Sequence, residues 1–208
     1  TGEQSSILED LYYRIQKGFK NANVHIMSAK AAELTKIAVN CYLTTKITYA
    51  NQVGQVMIRD GMESEVTTVL KAIGGDSRIG TKYLNYGFGF GGPCFPRDNR
   101  AFAAYASKVG VETPLGSTTD KFNIEHTQFL KDYFKKKNKN NFPYVFHYLT
   151  FKDGVDILIE SRPYDLALSL LNDGYDVYCL NSTAKDKMDS RIKFSDFPRM
   201  DQVFYVNL

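Results

Sequence analysis

The chain has 208 residues, with 26 Lys and Arg against 23 Asp and Glu, a formal net charge of +3. That balance is too small to argue for nucleic acid or an anionic membrane surface as a partner. Apolar residues make up 43% and charged residues 24%, the proportions of an ordinary globular chain long enough for one large or two small domains. No apolar run reaches the length of a membrane span, and the polar start Thr1-Gly2-Glu3-Gln4-Ser5 gives no sign of a leader. Cys41, Cys94 and Cys179 are an odd, widely spaced set without a CxxC pair. They suit neither a disulfide framework nor a zinc site, so a reducing cytoplasm and no metal are expected.

The first predicted element is a helix over Ile7–Lys20, with Ile7, Leu8, Leu11, Tyr12, Ile15 and Phe19 on one stripe. Asn21 to His25 is a connector. Ser28 is a candidate N-cap for a long helix over Ala29–Arg59, which has no Pro and a single Gly, Gly54. About 45 Å of helix at 1.5 Å per residue exceeds a small domain's diameter and suits a spine or a subunit interface. Gly61 ends it in the left-handed capping position. A further helix is expected over Glu63–Ile73, stopped by Gly74-Gly75, then a loop over Asp76–Asn85. Helices are expected over Asp98–Val109 and Thr118–Lys137, the latter with Phe122, Phe129, Leu130, Tyr133 and Phe134 on its apolar side.

The run from Lys135 to Asn141 is polar and charged without an apolar anchor, and reads as a solvated linker. Beyond it the pattern becomes strand over Phe142–Thr150, helix over Ser161–Asn172, strand over Tyr175–Leu180 and a last strand over Gln202–Leu208. Such an order implies a parallel β-α-β layer. Two domains are expected: a helical one over 1–136 and a small α/β one over 141–208.

The segment Gly87-Phe88-Gly89-Phe90-Gly91-Gly92-Pro93-Cys94-Phe95-Pro96-Arg97-Asp98 holds the most chemistry. Its glycines allow close backbone approach to a ligand, and the flanking prolines stiffen the chain around Cys94. A carboxylate follows at Asp98. Taken alone, Cys94 reads as well as a small buried residue, and Asp98 as an N-cap of the helix after it. Lys36 and Asn40 stand one turn apart on the long helix, so they share a face and could together stabilise an oxyanion. A surface lysine beside a polar neighbour is the plain alternative. Cys41 and Cys179 lie in apolar patterns and read as core.

Three stretches occur in one order: Ala32-Glu33-Leu34-Thr35-Lys36-Ile37-Ala38-Val39-Asn40, Asp76-Ser77-Arg78-Ile79-Gly80, and Gly89 through Asp98. Together they resemble the central region of the UDP-glucose/GDP-mannose dehydrogenase family. Phe151-Lys152-Asp153-Gly154-Val155-Asp156 through Glu160-Ser161 resembles that family's nucleotide-sugar domain. The resemblance implies a mainly α central domain with a long spine helix, like the C-terminal domain of 6-phosphogluconate dehydrogenase, followed by a reduced α/β Rossmann-like domain. It also implies an oxidoreductase that uses NAD twice to convert a sugar C6 alcohol to a carboxylate. Cys94 would then be the nucleophile that carries the thioester. Lys36 and Asn40 would stabilise oxyanions, and Asp98 would activate the hydrolytic water. Arg78, Tyr83, Gly91, Phe151 and Lys152 would contact a UDP-sugar or GDP-sugar. A homodimer through the 29–59 helix is implied as well.

The sequence departs from the family pattern in places. Tyr148 stands where a Gly is usual, and Val155, Ile157 and Ile159 replace a Thr, an Asp and an Arg. Arg97 replaces the usual Lys and Gln52 the usual Glu. A GxGxxG dinucleotide turn is expected to be missing upstream of Ile7, so no cofactor-binding residue is assigned and the chain alone is expected to be inactive. A separate chain carrying the NAD domain is one expected partner. A non-catalytic remnant, kept for dimerisation or partner binding, is the other reading of the same departures.

Overall fold

A computed structural model describes residues 2–18, 24–181, 183–195 and 197–208. They fall into two compact units, Thr1–Lys36 and Ile37–Leu208. The first unit contains helix α1 (Gly2–Lys17) and the start of helix α2 (Ala29–Arg59). The α1 apolar stripe was expected to run through Phe19 to Lys20, positions that lie outside the described residues. Within it, Ile7, Leu8, Leu11, Tyr12 and Ile15 are all exposed. An Arg14–Asp10 ion pair at 2.6 Å spans one turn of its polar side. Ser28 caps α2 as its position suggested: its Oγ accepts from the Ala31 N–H at 3.3 Å.

The second unit holds the rest of α2, then a 3-10 turn (Glu63–Glu65), α3 (Val66–Gly75), α4 (Phe95–Lys108), α5 (Pro114–Lys137), strand β1 (Tyr144–Phe146), α6 (Arg162–Asn172), β2 (Val177–Cys179) and β3 (Phe204–Tyr205). Helix α2 ends in a Schellman motif. Gly61 has φ +80°, its N–H donates to Ile58 O at 3.3 Å, and the Met62 N–H donates to Met57 O at 2.8 Å. The expected β-α-β layer forms a three-stranded parallel sheet in the order β2-β1-β3.

Two cores hold this unit. Ala50, Met57, Val66, Leu70 and Leu84 pack α2 against α3 and the segment after it. The larger core joins Leu130 and Phe134 of α5 to Tyr144 and Phe146 of β1, Leu166 and Leu170 of α6, and Val177 and Cys179 of β2. Helix and sheet therefore share one apolar interior.

Several boundaries differ from expectation for physical reasons. Helix α4 begins at Phe95 and α5 at Pro114, each with a proline in its first turn, where the missing N–H costs no hydrogen bond. Asp98 is consequently a first-turn residue and not an N-cap; Cys94 takes the N-cap position. Strand β1 keeps three residues, because the chain turns back afterwards: Thr150 Oγ1 donates to Lys152 O at 2.8 Å and the Phe151 N–H to Ile157 O at 3.2 Å.

The run over 135–141 is not a loose tether. Lys135 pairs with Asp173 at 2.7 Å, Lys137 pairs with Glu63, and Asn138 is buried. The Asn138 side chain donates to Phe142 O at 2.8 Å and accepts from the Phe142 N–H at 2.9 Å, closing the turn into β1.

Candidate active site

Cys94 is exposed at the N-terminal end of α4. One turn further on, the Asp98 N–H donates to Cys94 O at 2.8 Å. The Asp98 side chain is buried, and its two oxygens are divided between donors. Asn40 Nδ2 donates to Oδ2 at 2.6 Å, while Arg97 donates to Oδ1 from Nε at 3.3 Å and Nη2 at 3.2 Å. Burial removes water from the carboxylate, so these charge-assisted bonds replace its hydration. Just behind, half-buried Cys41 directs its thiol to Asp98 O at 3.6 Å, and Thr44 Oγ1 donates to Asn99 Oδ1 at 3.0 Å. Asn40, Cys41 and Thr44 thus moor the first turn of α4 on α2. The thiol of Cys179, by contrast, is buried in the large core, and burial pushes its pKa up to about 11.

The glycine segment before Cys94 is held by its main chain. The Gly87 N–H donates to Asn51 Oδ1 at 2.9 Å. The Phe90 N–H donates to Asn123 Oδ1 at 2.9 Å, and Asn123 Nδ2 returns a bond to Phe90 O at 2.8 Å. His126 Nε2 lies 2.7 Å from Gly87 O, and its Nδ1 lies 2.7 Å from Gln55 Nε2. Because a carbonyl only accepts, the proton sits on Nε2, and Nδ1 accepts from the Gln55 amide. Burial of His126 holds its pKa down at about 4, against the smaller opposing pull of the Gly87 carbonyl.

A cavity of about 450 Å³ opens along this segment, within the size range of small-ligand sites. Tyr83, the glycine run 87–91, His147, Tyr148, Phe151 and Arg162 are among its walls. Tyr83 sits at φ +62° in the left-handed region. Burial raises the pKa of Tyr148, with the nearby Asp153 charge adding to it.

Of the residues singled out in the sequence, the structure brings Asn40, Asp98 and Cys94 together, and separately gathers Tyr83, Gly91 and Phe151 at the cavity. Cys94, Asn40 and Asp98 do not line that cavity. Arg78 is exposed and folds back on Asp76 in an ion pair at 2.6 Å, with its N–H on Asp76 Oδ1 at 2.9 Å. Lys152 is exposed outside the cavity wall. Lys36 belongs to the first unit, on α2 one turn before Asn40. Sequence reasoning missed Asn51, Asn123 and His126. Their i, i+3 spacing from Asn123 to His126 on the Thr118–Lys137 helix was a signal in plain view: two polar side chains beside the apolar stripe.

Among the described residues, no three His, Cys, Asp or Glu side chains gather as a metal site requires, and no helix is long and apolar enough to cross a membrane.

Residues 30–125 match the UDP-glucose/GDP-mannose dehydrogenase family, central domain. The chain is 33% identical over 167 residues to UDP-glucose 6-dehydrogenase AglM of Haloferax volcanii, covering 80% of this chain and 38% of that protein. It is 29% identical over 199 residues to the GDP-mannose 6-dehydrogenase of Pseudomonas savastanoi pv. phaseolicola, covering 89% and 43%. The solved structure of a UDP-glucose dehydrogenase from Pyrobaculum islandicum superimposes with a TM-score of 0.78 at 29% identity, over 100% of this chain and 45% of that one. The chain spans less than half the length of these relatives. Its central motifs, its helical part with a small parallel sheet and these matches agree: through residues 30–125 the chain belongs to the UDP-glucose/GDP-mannose dehydrogenase family.

Proposed function

We propose that this chain carries the thiol chemistry of a nucleotide-sugar 6-dehydrogenase, acting on a UDP-sugar or a GDP-sugar. The observation that supports it most is the 2.6 Å Asn40–Asp98 bond set one helical turn from the exposed Cys94. In the first thiol step, Cys94 Sγ attacks the C6 aldehyde; an S–C bond forms and the carbonyl oxygen takes the negative charge. Asn40 Nδ2 carries two hydrogens. One serves Asp98, leaving the second for that oxyanion. In the last step, water adds to the thioester carbon, Asp98 takes its proton, and the C–S bond breaks with its electron pair on sulfur, returning the thiolate. Tyr83, Gly91 and Phe151 would hold the nucleotide-sugar in the cavity, with Arg78 and Lys152 reaching it from outside.

The two oxidations, of the alcohol to the aldehyde before the first thiol step and of the thiohemiacetal to the thioester after it, are NAD chemistry in this family. The described residues do not fit that cofactor. The glycine turn 87–92 follows no strand, and its Gly87, Phe90 and Gly92 N–H groups are spent on Asn51, Asn123 and Ile159. No step through NAD is therefore assigned to these residues. The three free thiols fit a reducing cytoplasm.

The test is site-resolved alkylation of Cys94 with and without UDP-glucose, UDP-N-acetylmannosamine and GDP-mannose. One of these sugars should slow alkylation of Cys94 at least fivefold, and Tyr83→Ala should abolish that protection. Equal rates with and without all three would remove the reading.

A second role rests on a different observation. Val39, Tyr42, Tyr49 and Val56 are 51–62% exposed along α2, and their spacing of three and seven residues places them on one stripe. Such a stripe suits an isologous homodimer through α2. Light scattering should report a dimer for the native chain and a monomer for a Tyr42→Glu, Tyr49→Glu variant. The alternative of a non-catalytic dimerisation module would keep that dimer while showing no protection of Cys94.

A further inference from the structure

The segment that precedes α6 grips the turn that precedes α4. The Gly92 N–H donates to Ile159 O at 2.9 Å. A Cβ built on Gly91 would fall on the carbonyl oxygen of Glu160, and one on Gly92 would meet the Phe151 ring at 2.7 Å. Only glycines permit this approach, so the two main chains lie against each other immediately before Pro93-Cys94.

Glu160 itself is unusual. It adopts φ +48°, a left-handed conformation that a non-glycine residue keeps only when its surroundings hold it. The holding groups are visible. Arg100 Nη2 pairs with Glu160 Oε1, and Arg100 Nη1 donates to Oε2 at 3.3 Å. Arg100 is itself steadied by Asp120 at 3.5 Å. Arg162 Nε donates to Glu160 O at 3.2 Å, fixing the same carbonyl that faces Gly91. Arg100 stands on α4, the helix that Cys94 opens, so the clamp returns to the element it serves.

We propose that Glu160 is a positioning residue for the Cys94 turn. The Arg100 pair pins its carboxylate, the pinned side chain holds its backbone left-handed, and the backbone seats Ile159 and Glu160 carbonyls against Gly92 and Gly91. Its meaning for catalysis rests on the reading of Cys94 as nucleophile; the clamp itself does not. Nothing covalent changes in it. Its action is to keep the sulfur at one place and orientation before substrate arrives.

Amide hydrogen exchange at Gly92 and the alkylation rate of Cys94 read the clamp directly, in the full chain. In Glu160→Ala and in Arg100→Gln, Gly92 should exchange at least threefold faster than in the native chain. Cys94 alkylation should shift at least threefold in the same two variants. Amides inside α6 should be unmoved, which a merely destabilised protein would not show. Glu160→Gly, which accepts a positive φ without help, should fall between native and Glu160→Ala. If Glu160→Ala does not fold, Arg100→Gln and Glu160→Gly carry the test, since the Arg100 side chain is 52% exposed. Changes below threefold at both Gly92 and Cys94 overturn the proposal. Failure of every nucleotide-sugar to protect Cys94 would instead overturn the functional reading and leave the clamp standing.

Discussion

Asn123 holds the peptide unit of Phe90 from both ends, accepting from its N–H at 2.9 Å and donating to its C=O at 2.8 Å. A side-chain amide thereby plays the part of a neighbouring strand for one residue of a loop. Both groups are buried, so neither has water to fall back on. Asn123→Ala should strand both and cost roughly 2–6 kcal/mol, at about 1–3 per orphaned group. Urea unfolding midpoints measure it. Asn123→Asp should do no better, because its second oxygen would face the Phe90 carbonyl. Wild-type stability in the alanine variant would contradict the assignment.

His126 makes a pH prediction with a definite sign. Its pKa is about 4 in the fold against 6.5 in an unfolded chain. The unfolded chain therefore binds the extra proton first as pH falls, and stability drops. The contribution is complete above pH 6.5 and is lost progressively on the way down through pH 4. Its full size is about 3 kcal/mol, from roughly 1.4 kcal/mol per pKa unit. His126→Gln, which can still donate to Gly87 O, should flatten the difference in urea midpoint between pH 7.5 and pH 4.5. Parallel pH curves for the two proteins would refute it.

Gly54 tests which of two opposing effects governs the middle of α2. Replacing a helical glycine with alanine ordinarily gains about 1 kcal/mol in propensity. Here the added methyl would fall inside the Tyr86 ring, itself a wall of the cavity. Overpacking of that kind costs typically about 1–3 kcal/mol. Gly54→Ala should therefore destabilise on balance and weaken any nucleotide-sugar binding. A stabilised variant, read by thermal unfolding, would show that Tyr86 moves freely.

The turn between α5 and β1 separates buried from surface polar contacts. Asn138→Ala removes two hydrogen bonds at a buried position and should cost about 1–3 kcal/mol. Lys137→Ala breaks a half-exposed ion pair with Glu63 and should cost under about 1 kcal/mol. Equal effects in denaturant titrations would mean that the charge matters more than the cap.

Local signals carried much of the fold. Helix α2 was legible from end to end, because it has no proline, a serine cap at its start and Gly61 at its finish. The starts of α4 and α5 were placed too late, since Pro96 and Pro114 sit in the first turn, where a helix tolerates them. Strand β1 was drawn too long, since its pairing stops at Phe146 while Leu149 beyond it still packs into the large core and so keeps an apolar pattern. The site divides the same way. Asn40, Cys94 and Asp98 were marked by their motifs, and the helix geometry brings them together. Asn51, Asn123 and His126 grip main-chain atoms 33 to 39 residues away. Main-chain partners leave no imprint on residue type, so the spacing of Asn123 and His126 beside the α5 stripe marks the two positions without naming what they hold.

The middle place of β1 between two later strands has a consequence for biosynthesis. Its edges at Tyr144–Phe146 gain β2 only after Cys179 is made and β3 only after Tyr205. At about 5–20 residues per second, one side of this apolar strand waits roughly 3–12 s on the ribosome for its partner. Through that interval the nascent segment exposes unpaired backbone, a natural moment for chaperone capture and for the association of neighbouring chains on a polysome.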